Sequence, residues 1–471
     1  MLINYKIENF KSFGTAQSLR LAPITLICGP NSSGKSSIIQ SLLLLKQTSE
    51  SDSLVGSLSS QGGLINLGDY ESFIFKHDIQ RELKLEISYT KKQILSEMKI
   101  LGSQHDRIVS FGYANAILNE KKSVTFLKEY SFLAEHKNEN HLDFRLKNIH
   151  TQDSAKRLTS EESLSKYIFL NDESRDLFIS FLTRRIKNRS SLNTKANDKI
   201  LNMFLNKEIE NINSNDFIIS RNNFLPSKLT ADAGLNTGAI ANSLAEDVKE
   251  KLKSILYLGP LRCYPSRFYT ATENKEKSVG KDGQDTVKMI HDAGHLTVDE
   301  INNWFELFEV PYKIKIGDIG NKTTGKVLYM QLQDLRTNVI VAASDVGFGI
   351  GQLLPIIVEG LVGSDKTICV EQPEIHLHPK LQGHLGDYFI KSFTEKNNQW
   401  IIETHSEALI LRLQRRIKEG KLSHKDICVV YVDPTSQGAE VSELRLDADG
   451  DFIDEWPNGF FEDRFNDVFG L

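Results

Sequence analysis

The sequence predicts an α/β fold in which a mixed sheet is flanked by helices and is split by a long α+β insertion. Short β-rich runs near the amino terminus lead into a glycine loop and a helix, and between about 338 and 432 apolar strand-like runs alternate with helical ones. That alternation is typical of a parallel sheet covered by helices. The residues between these parts are polar and irregular. We therefore expect one domain formed by segments 1–90 and 251–471, interrupted by the insertion 91–250.

The composition excludes some classes of protein. The 471 residues are 40% hydrophobic and 25% charged, which is ordinary usage for a folded chain. The formal net charge of −5 gives no overall positive field for DNA or an anionic membrane, so any DNA contact needs a local basic patch. No apolar run approaches the roughly 20 residues of a membrane span, and the amino terminus lacks a signal-peptide pattern. The sequence thus predicts a cytoplasmic protein without membrane contact.

A strand, a loop and a helix follow one another near the amino terminus. The runs 2–7, 17–21 and 24–28 are short, apolar and bounded by turn residues, which predicts strands. Residues 36–46 lack Gly and Pro and are long enough for a buried helix. The segment 29–36 matches G-x-x-x-x-G-K-[ST] in full. This motif therefore lies in the context that a phosphate-binding loop requires.

The residue types of this loop suit a nucleotide. Glycines allow backbone N–H groups to turn toward phosphate oxygens, and the helix amino terminus adds positive potential. Lys35 is expected to reach the β- and γ-phosphates of ATP, and the Ser36 hydroxyl to bind Mg²⁺. The expected nucleotide-binding residues of the loop are Gly29, Asn31, Ser32, Ser33, Gly34, Lys35, Ser36 and Ser37.

Two later strand-like runs end in polar residues. The first leads to Glu371 and Glu374, and we expect Glu371 to hold Mg²⁺ through water. The second begins at Trp400 and leads to His405, which is expected to hydrogen-bond the γ-phosphate. The distal half of the site therefore contains two strand ends.

A second glycine-rich turn precedes the acidic strand. The segment 345–352 is expected to open an apolar helix from Leu353, with Pro355 in its first turn. A helix amino terminus attracts anions through its dipole, so this turn is a second candidate anion site. Its expected nucleotide contacts are Gly349, Gly351 and Gln352.

In this order the segments resemble the ABC-type ATPases of the SMC and OLD-like group. Residues 9–13 (NFKSF) look like the opening strand-turn, which implies that Lys11 and Ser12 touch the nucleotide. The resemblance further identifies 29–36 as a Walker A loop and 345–352 as a divergent signature loop. It identifies 371–379 (EQPEIHLHP) as Walker B with its D-loop, and 403–406 (ETHS) as a switch-histidine segment. It implies an ABC-type P-loop ATPase domain that binds ATP and Mg²⁺ between two subunits of a homodimer or higher homo-oligomer.

Three segments are similar to a prokaryotic branch of AAA or ABC-type ATPases. They are 257–262 (YLGPLR), 371–379 and the tail segment 455–461 (EWPNGFF). Relatives in that branch include ATPase subunits of anti-phage systems such as Septu. The resemblance implies a sensor or regulatory subunit of a defence complex, which controls a separate effector, a nuclease encoded nearby. The insertion 91–250 is then the candidate region for a partner or for dimerisation.

Two departures from the family pattern bear on turnover. Gln372 occupies the place where the family has a Glu that orients the attacking water. A neutral amide positions water but cannot accept its proton, so either Glu374 is the base or turnover is slow. Gly349 replaces the Ser that binds the γ-phosphate in the family. The candidate catalytic residues are Glu371, Gln372, Glu374 and His405.

Alternative functions stay open at this point. A DNA-repair or chromosome-maintenance ATPase would need a basic groove, and a nucleotide-gated scaffold with little turnover would agree with Gln372. A stand-alone OLD-like nuclease would need an acidic metal site, but 447–451 is better explained as a hairpin turn. The aromatic tail from Phe452 to Phe469 is either core or a docking surface. A candidate subunit or DNA contact lies on a helix that contains Arg412, Arg415, Arg416 and Lys418.

Overall fold

The fold is that of a computed structural model, which describes residues 1–51, 58–90, 106–119, 122–136, 139–148, 166–190, 203, 206, 217–219, 226–227, 235–270, 278–321 and 325–457. The strands of these residues are, in chain order, β1 (Leu2–Glu8), β2 (Gln17–Arg20), β3 (Ile24–Cys28), β4 (Leu83–Thr90), β5 (Asp106–Asn119), β6 (Lys122–His136), β7 (Glu139–Asn148), β8 (Lys166–Phe169), β9 (Phe217–Ile219), β10 (Pro226–Ser227), β11 (Ile255–Leu258), β12 (Tyr269–Thr270), β13 (Tyr312–Asn321), β14 (Gly325–Asp334), β15 (Ile340–Ala342), β16 (Thr367–Glu371), β17 (Gln399–Glu403), β18 (Ile427–Thr435) and β19 (Gly438–Leu444). The helices of the same residues are α1 (Lys35–Glu50), α2 (Tyr70–Phe73), α3 (Asp172–Ser190), α4 (Leu235–Lys253), α5 (Thr286–Ala293), α6 (His295–Leu307), α7 (Phe348–Val362), α8 (Pro379–Lys396) and α9 (Glu407–Lys418).

A six-stranded sheet forms the centre of the molecule. Its strand order is β11-β16-β17-β3-β18-β19, and all pairs are parallel except β18 with β19. Strands β3, β16 and β17 are buried at every position. A parallel sheet that is covered on both faces needs such uninterrupted apolar runs, which explains why the sequence pattern revealed them. The carboxyl ends of β11, β16, β17 and β3 lie side by side at one edge.

A second sheet is antiparallel and contains the described strands of the region 91–250. Its order is β10-β9-β8-β7-β6-β5-β4-β1-β2. Strands β4 and β5 pair along their lengths, from Leu83 with Tyr113 to Thr90 with Asp106. The described strands of 91–250 therefore extend a sheet that the amino-terminal strands begin. The division of the chain into 1–90, 91–250 and 251–471 stays a prediction.

Helices fill the space between and beside these sheets. On one side, Tyr5 of β1 donates a hydrogen bond to Ser41 of α1 at 2.7 Å, and Arg107 of β5 pairs with Asp247 of α4 at 2.6 Å. On the other face of the parallel sheet, the Trp400 ring packs 4.6 Å from that of Phe389 in α8. The predicted α/β fold, with a mixed sheet flanked by helices, is confirmed.

Several local predictions are also confirmed. The strands expected at 2–7, 17–21 and 24–28 correspond to β1, β2 and β3, and the helix expected at 36–46 is the longer α1. In the aromatic tail, Trp456 packs against Phe452 at 5.1 Å and Tyr431 at 6.3 Å between ring centroids. These two rings of the tail are partly buried and pack against the core, whereas 458–471 lie outside the described residues. None of the described helices combines the length and apolar character that crossing a bilayer requires.

Candidate functional site

The loop 29–36 joins β3 to α1 at the carboxyl edge of the parallel sheet. Gly29 and Gly34 have φ angles of 142° and 108°, which residues with a Cβ rarely adopt. A Cβ on Gly29 would lie 2.4 Å from the Val432 carbonyl oxygen, and one on Gly34 would lie 2.3 Å from Ser12 Oγ. Both positions therefore require glycine, for conformation and for space.

The beginning of α1 is suited to an anion. Its N-cap residue is Gly34, which has no side chain to cap the first amide groups. Asn31 and Ser32 are exposed on the loop, and Ser37 is buried in the helix. The Ser33 hydroxyl is buried without a hydrogen-bond partner among the described residues. Free amides and an unpaired hydroxyl at a helix amino terminus are the groups that phosphate oxygens can occupy.

Lys35 lies inside the loop rather than in solvent. Its ammonium group donates to the carbonyl oxygens of Gly29 at 3.1 Å and Pro30 at 2.7 Å, and the residue is only 4% exposed. Burial lowers the pKa of Lys35, whereas the negative charge of Glu403 opposes that shift. The contacts to two neutral carbonyls leave the lysine's charge available to phosphate oxygens.

The turn at 9–13 lies against this loop, with Ser12 beside Gly34. Asn9 and Lys11 adopt φ angles of 59° and 48°, a strained region for residues with a Cβ. Burial lowers the pKa of Lys11, and the negative charge of Glu371 opposes the shift. The Ser12 hydroxyl, beside Gly34, has no hydrogen-bond partner among the described residues.

Two carboxylates face each other at the ends of neighbouring strands. Glu371 of β16 is paired in register with Glu403 of β17, and both residues are buried. Burial, followed by the charge of Glu403, raises the pKa of Glu371 to about 7, against a hydrogen bond that Tyr257 donates to Glu371 Oε1 at 2.9 Å. Burial also raises the pKa of Glu403, against a hydrogen bond from Ser36 and the charge of Lys35.

Glu403 is a residue of the site that the sequence analysis did not select. The signal was available, because the run that starts at Trp400 ends in an acid just as the run before Glu371 does. Parallel neighbours end at the same edge of a sheet, so two such runs bring their acids together. Only the strand order β16-β17-β3 shows that Glu403 lies next to the loop that contains Lys35.

The donors at this edge fit a magnesium ion. Ser36, Glu371 and Glu403 offer hydroxyl and carboxylate oxygens, which Mg²⁺ prefers, and a divalent cation would relieve the repulsion between the two acids. Within the described residues no group of three or more His, Cys, Asp or Glu side chains could hold a metal alone. This fits Mg²⁺, which usually takes one or two carboxylates together with phosphate oxygens and water.

The candidate water-activating residues follow β16. Glu374 Oε1 accepts a hydrogen bond from the His405 backbone N–H at 2.7 Å, and Oε2 is shielded from solvent without a partner among the described residues. Burial raises the pKa of Glu374, partly offset by the bond from His405. Gln372 adopts φ of 44° and donates its backbone N–H to the Glu403 carbonyl at 2.7 Å. Burial lowers the pKa of the half-buried His405, as does the charge of Lys35.

Arg262 is a second residue of this edge that the sequence analysis did not select. It follows β11, is 3% exposed, and donates from Nη2 to the Glu371 carbonyl oxygen at 2.9 Å. Burial lowers the pKa of Arg262 to about 10, while the charges of Glu374 and Glu371 oppose the shift. Arg262 ends the segment 257–262 (YLGPLR), which the sequence analysis used only as a family similarity, and its place in the site depends on the pairing of β11 with β16.

The second glycine segment differs from its prediction. Helix α7 begins at Phe348 rather than Leu353, and Pro355 lies inside it rather than in the first turn. Gly351 is buried, and a Cβ there would lie 3.0 Å from Pro265 Cδ. Close packing of Pro265 against the helix therefore requires a small residue, and glycine serves packing here rather than a turn.

The same packing buries Gln352, which was expected to contact the nucleotide. Gln352 is fully buried and donates from Nε2 to the Arg262 carbonyl oxygen at 3.1 Å. Gly349 is half-buried near the helix start. The edge therefore brings Lys35, Ser36, Glu371, Glu374 and His405 together, whereas Gly351 and Gln352 are inside the protein. The functional roles of these residues stay predictions.

Two other candidate features have local explanations. In α9, Arg412 and Arg416 pair with Asp387 at 3.3 and 2.5 Å, and Arg415 pairs with Glu419 at 2.8 Å. These three arginines therefore pair with two acids of the same chain, Asp387 and Glu419. The acidic segment 447–451 forms a turn, in which the Asp447 carboxylate accepts two backbone N–H groups at 2.9 Å.

Among solved structures, this chain is similar to the SMC head domain from Thermotoga maritima, with 10% identity, 94% of this chain and 99% of that chain covered, and a TM-score of 0.38. It is likewise similar to the Smc head domain with a coiled coil and joint from Pyrococcus yayanosii, with 10% identity, coverage of 95% and 98%, and a TM-score of 0.42. These similarities are too distant to bear on what the chain binds or does.

The family assignment comes from the sequence itself. No curated protein matches it. The family model for the AAA ATPase domain matches residues 1–410, a range that includes the glycine loop, the acidic strand end and the switch-histidine segment. The chain therefore belongs to the AAA ATPase domain family.

Proposed function

We propose that the protein binds ATP with Mg²⁺ and hydrolyses it to ADP and phosphate. One observation carries the proposal: the ends of β3, β17, β16 and β11 place a phosphate-binding loop beside the carboxylates of Glu371, Glu403 and Glu374. Ligands of open α/β sheets bind at this carboxyl edge. Membership of the AAA ATPase domain family supports a nucleotide as that ligand.

The loop and α1 account for binding. Lys35 exchanges its contacts with the Gly29 and Pro30 carbonyls for oxygens of the β- and γ-phosphates. The free amides at the start of α1 bind further oxygens. Ser36 and Glu371 are the residues that would hold Mg²⁺, which neutralises phosphate charge when bound.

Glu374 is the residue best placed to activate water. The water oxygen attacks the γ-phosphorus, the bond to the bridging oxygen of ADP breaks, and Glu374 accepts the proton. Burial raises the pKa of this carboxyl group, which makes its ionised form a stronger base. His405 has a lowered pKa and is neutral at pH 7, so it offers a hydrogen bond to the γ-phosphate without adding charge. The amide of Gln372 can only orient the water.

We infer that this ATPase is the sensor or regulatory subunit of a prokaryotic anti-phage defence complex. The support is the similarity of 257–262, 371–379 and 455–461 to the defence-associated branch of these ATPases. The working form is a cytoplasmic homodimer or higher homo-oligomer, and the effector is a nuclease from a neighbouring gene. A phage-challenge assay of cells with the intact gene cluster tests this role. Lys35→Ala should abolish protection, and full protection by that variant would contradict it.

Light scattering with phosphate release tests the ATPase proposal. We expect the wild-type chain to assemble with ATP and Mg²⁺ and to release phosphate during the cycle. Stable assembly without phosphate release would instead indicate a nucleotide-gated scaffold, the alternative that Gln372 favours. The absence of both assembly and turnover would contradict the proposal.

A further inference from the structure

Arg262 has hydrogen-bonding capacity that the folded chain does not use. Its side chain is 3% exposed, and only Nη2 has a partner, the Glu371 carbonyl oxygen at 2.9 Å. Nε and Nη1 are shielded from solvent and have no hydrogen-bond partner among the described residues. Buried donors are normally paired, so unpaired ones in a folded protein need an explanation.

The position of these donors points to the nucleotide. The charges of Glu374 and Glu371 oppose the effect of burial on the pKa of Arg262, which indicates that both carboxylates lie near it. Glu374 itself carries an unpaired acceptor, Oε2, that is equally shielded from solvent. An arginine with free N–H groups and a carboxylate with a free oxygen thus lie near each other without forming a bond. A ligand that accepts from the arginine and gives a proton to the carboxylate would satisfy both.

The opposite side of this space belongs to the phosphate-binding loop. The charge of Glu374 acts on Glu403, and Glu403 interacts with Lys35. In the strand order β11-β16-β17-β3, Arg262 follows the first strand and Lys35 follows the last. The acids therefore lie between two cations, one of which is bound to loop carbonyls and the other of which has free donors.

We propose that Arg262 is a catalytic residue that binds an oxygen of the γ-phosphoryl group of ATP held by the same chain. The inference rests on the proposed hydrolysis of ATP and adds a residue to it. As the bond to ADP breaks, negative charge lies on the phosphoryl oxygens, and a planar guanidinium can donate two parallel hydrogen bonds to them. The attacking water lies between this group and Glu374, which takes the proton.

A purely structural role for Arg262 makes different predictions. Arg262 lies in the loop that follows β11. Its Nη2 bond to the Glu371 carbonyl oxygen ties this loop to β16, and the bond from Gln352 to the Arg262 carbonyl oxygen ties it to α7. Such a role needs neither Nε nor Nη1. Loss of a structural tie would weaken ATP binding and turnover together, whereas loss of a phosphoryl contact would lower turnover selectively.

The experiment compares Arg262→Gln and Arg262→Lys in the full chain with the wild type. It measures affinity for ATP with Mg²⁺, the rate of phosphate release, and trapping of ADP with vanadate as a mimic of the transferring group. We expect Arg262→Gln to keep ATP affinity within about 3-fold but to lose about 100-fold or more in kcat, with a matching loss of trapping. Arg262→Lys should recover part of kcat, because it retains the charge but not the planar fork.

Arg20→Gln is the matched control. Arg20 is bonded to Glu443 and to the Ile427 carbonyl, away from this edge, so its loss should leave kcat unchanged. Wild-type kcat in Arg262→Gln, or a parallel loss of ATP affinity and kcat, would overturn the inference. If Arg262→Gln does not fold, the inference is tested with Arg262→Lys alone. Wild-type kcat and wild-type vanadate trapping in Arg262→Lys would also overturn the inference. A wild-type chain that binds ATP but releases no phosphate refutes the hydrolysis itself.

Discussion

Replacement of Glu374 by Gln isolates the proposed general base. Gln keeps an oxygen that can accept the His405 N–H, which Glu374 Oε1 now accepts at 2.7 Å, so the local geometry should persist. The change removes the proton acceptor, and a positioned base contributes about 10²- to 10⁴-fold to a rate. It also removes a charge that acts on Glu403. We therefore expect kcat to fall by at least about 100-fold, while ATP binds as tightly as before or more tightly.

The assay measures phosphate release and ATP affinity in parallel. Gln372→Asn is the matched control, because Asn tolerates the positive φ of 44° at this position better than most residues. Its kcat should fall by less than about tenfold, since the amide only orients water. In the wild type, kcat should rise with pH through a pKa above the ordinary value of Glu, because burial raises that of Glu374. Unchanged turnover in Glu374→Gln would refute this account of water activation.

Three further changes test the fold and the loop. Burial raises the pKa of Glu359 to about 7 from an ordinary 4.5. Between these two pH values the unfolded chain binds fewer protons than the folded chain, so the free energy of unfolding falls by about 3 kcal/mol as the pH rises from the lower to the higher value. Denaturant unfolding against pH should show a decline that includes this contribution, and Glu359→Gln should reduce the decline by about 3 kcal/mol, while Glu371, Glu374 and Glu403 still contribute in the same direction; an unchanged slope would contradict the assignment. Arg107→Ala leaves Asp247 without its 2.6 Å partner and should lower the free energy of unfolding by about 3–5 kcal/mol, whereas a loss under about 1 kcal/mol would show that the pair is dispensable. Gly34→Ala puts a Cβ at a φ of 108° and should weaken ATP binding at least about tenfold, and wild-type affinity would contradict the described loop geometry.

The parts of the site that depend on local spacing could be predicted from the sequence. The loop 29–36 is defined by residues that are adjacent in the chain, and its flanking strand and helix have clear apolar patterns. Glu371 was recognisable for the same reason, because it ends a continuous apolar run. Buried parallel strands produce such runs regardless of what surrounds them.

The parts of the site that depend on strand order could not be predicted from the sequence. Glu403 and Arg262 join the site only because β17 lies between β16 and β3, and β11 beside β16. The start of α7 was predicted wrongly because glycines suggest a turn. In the structure Gly351 lies inside the helix, where the absence of a Cβ leaves room for Pro265. The region 91–250 shows weak alternation, and tertiary pairing in the antiparallel sheet determines its described strands.

The most direct test of the central claim is the affinity of Lys35→Ala for ATP with Mg²⁺, measured by calorimetric titration beside the wild type. Lys35 is the cation that the loop holds for the phosphates. Lys46→Ala is the control, since Lys46 lies on the same helix but pairs with Glu50. We predict that ATP affinity falls at least about 100-fold in Lys35→Ala and is retained in Lys46→Ala. Unchanged affinity in a folded Lys35→Ala chain would contradict a nucleotide site at this loop.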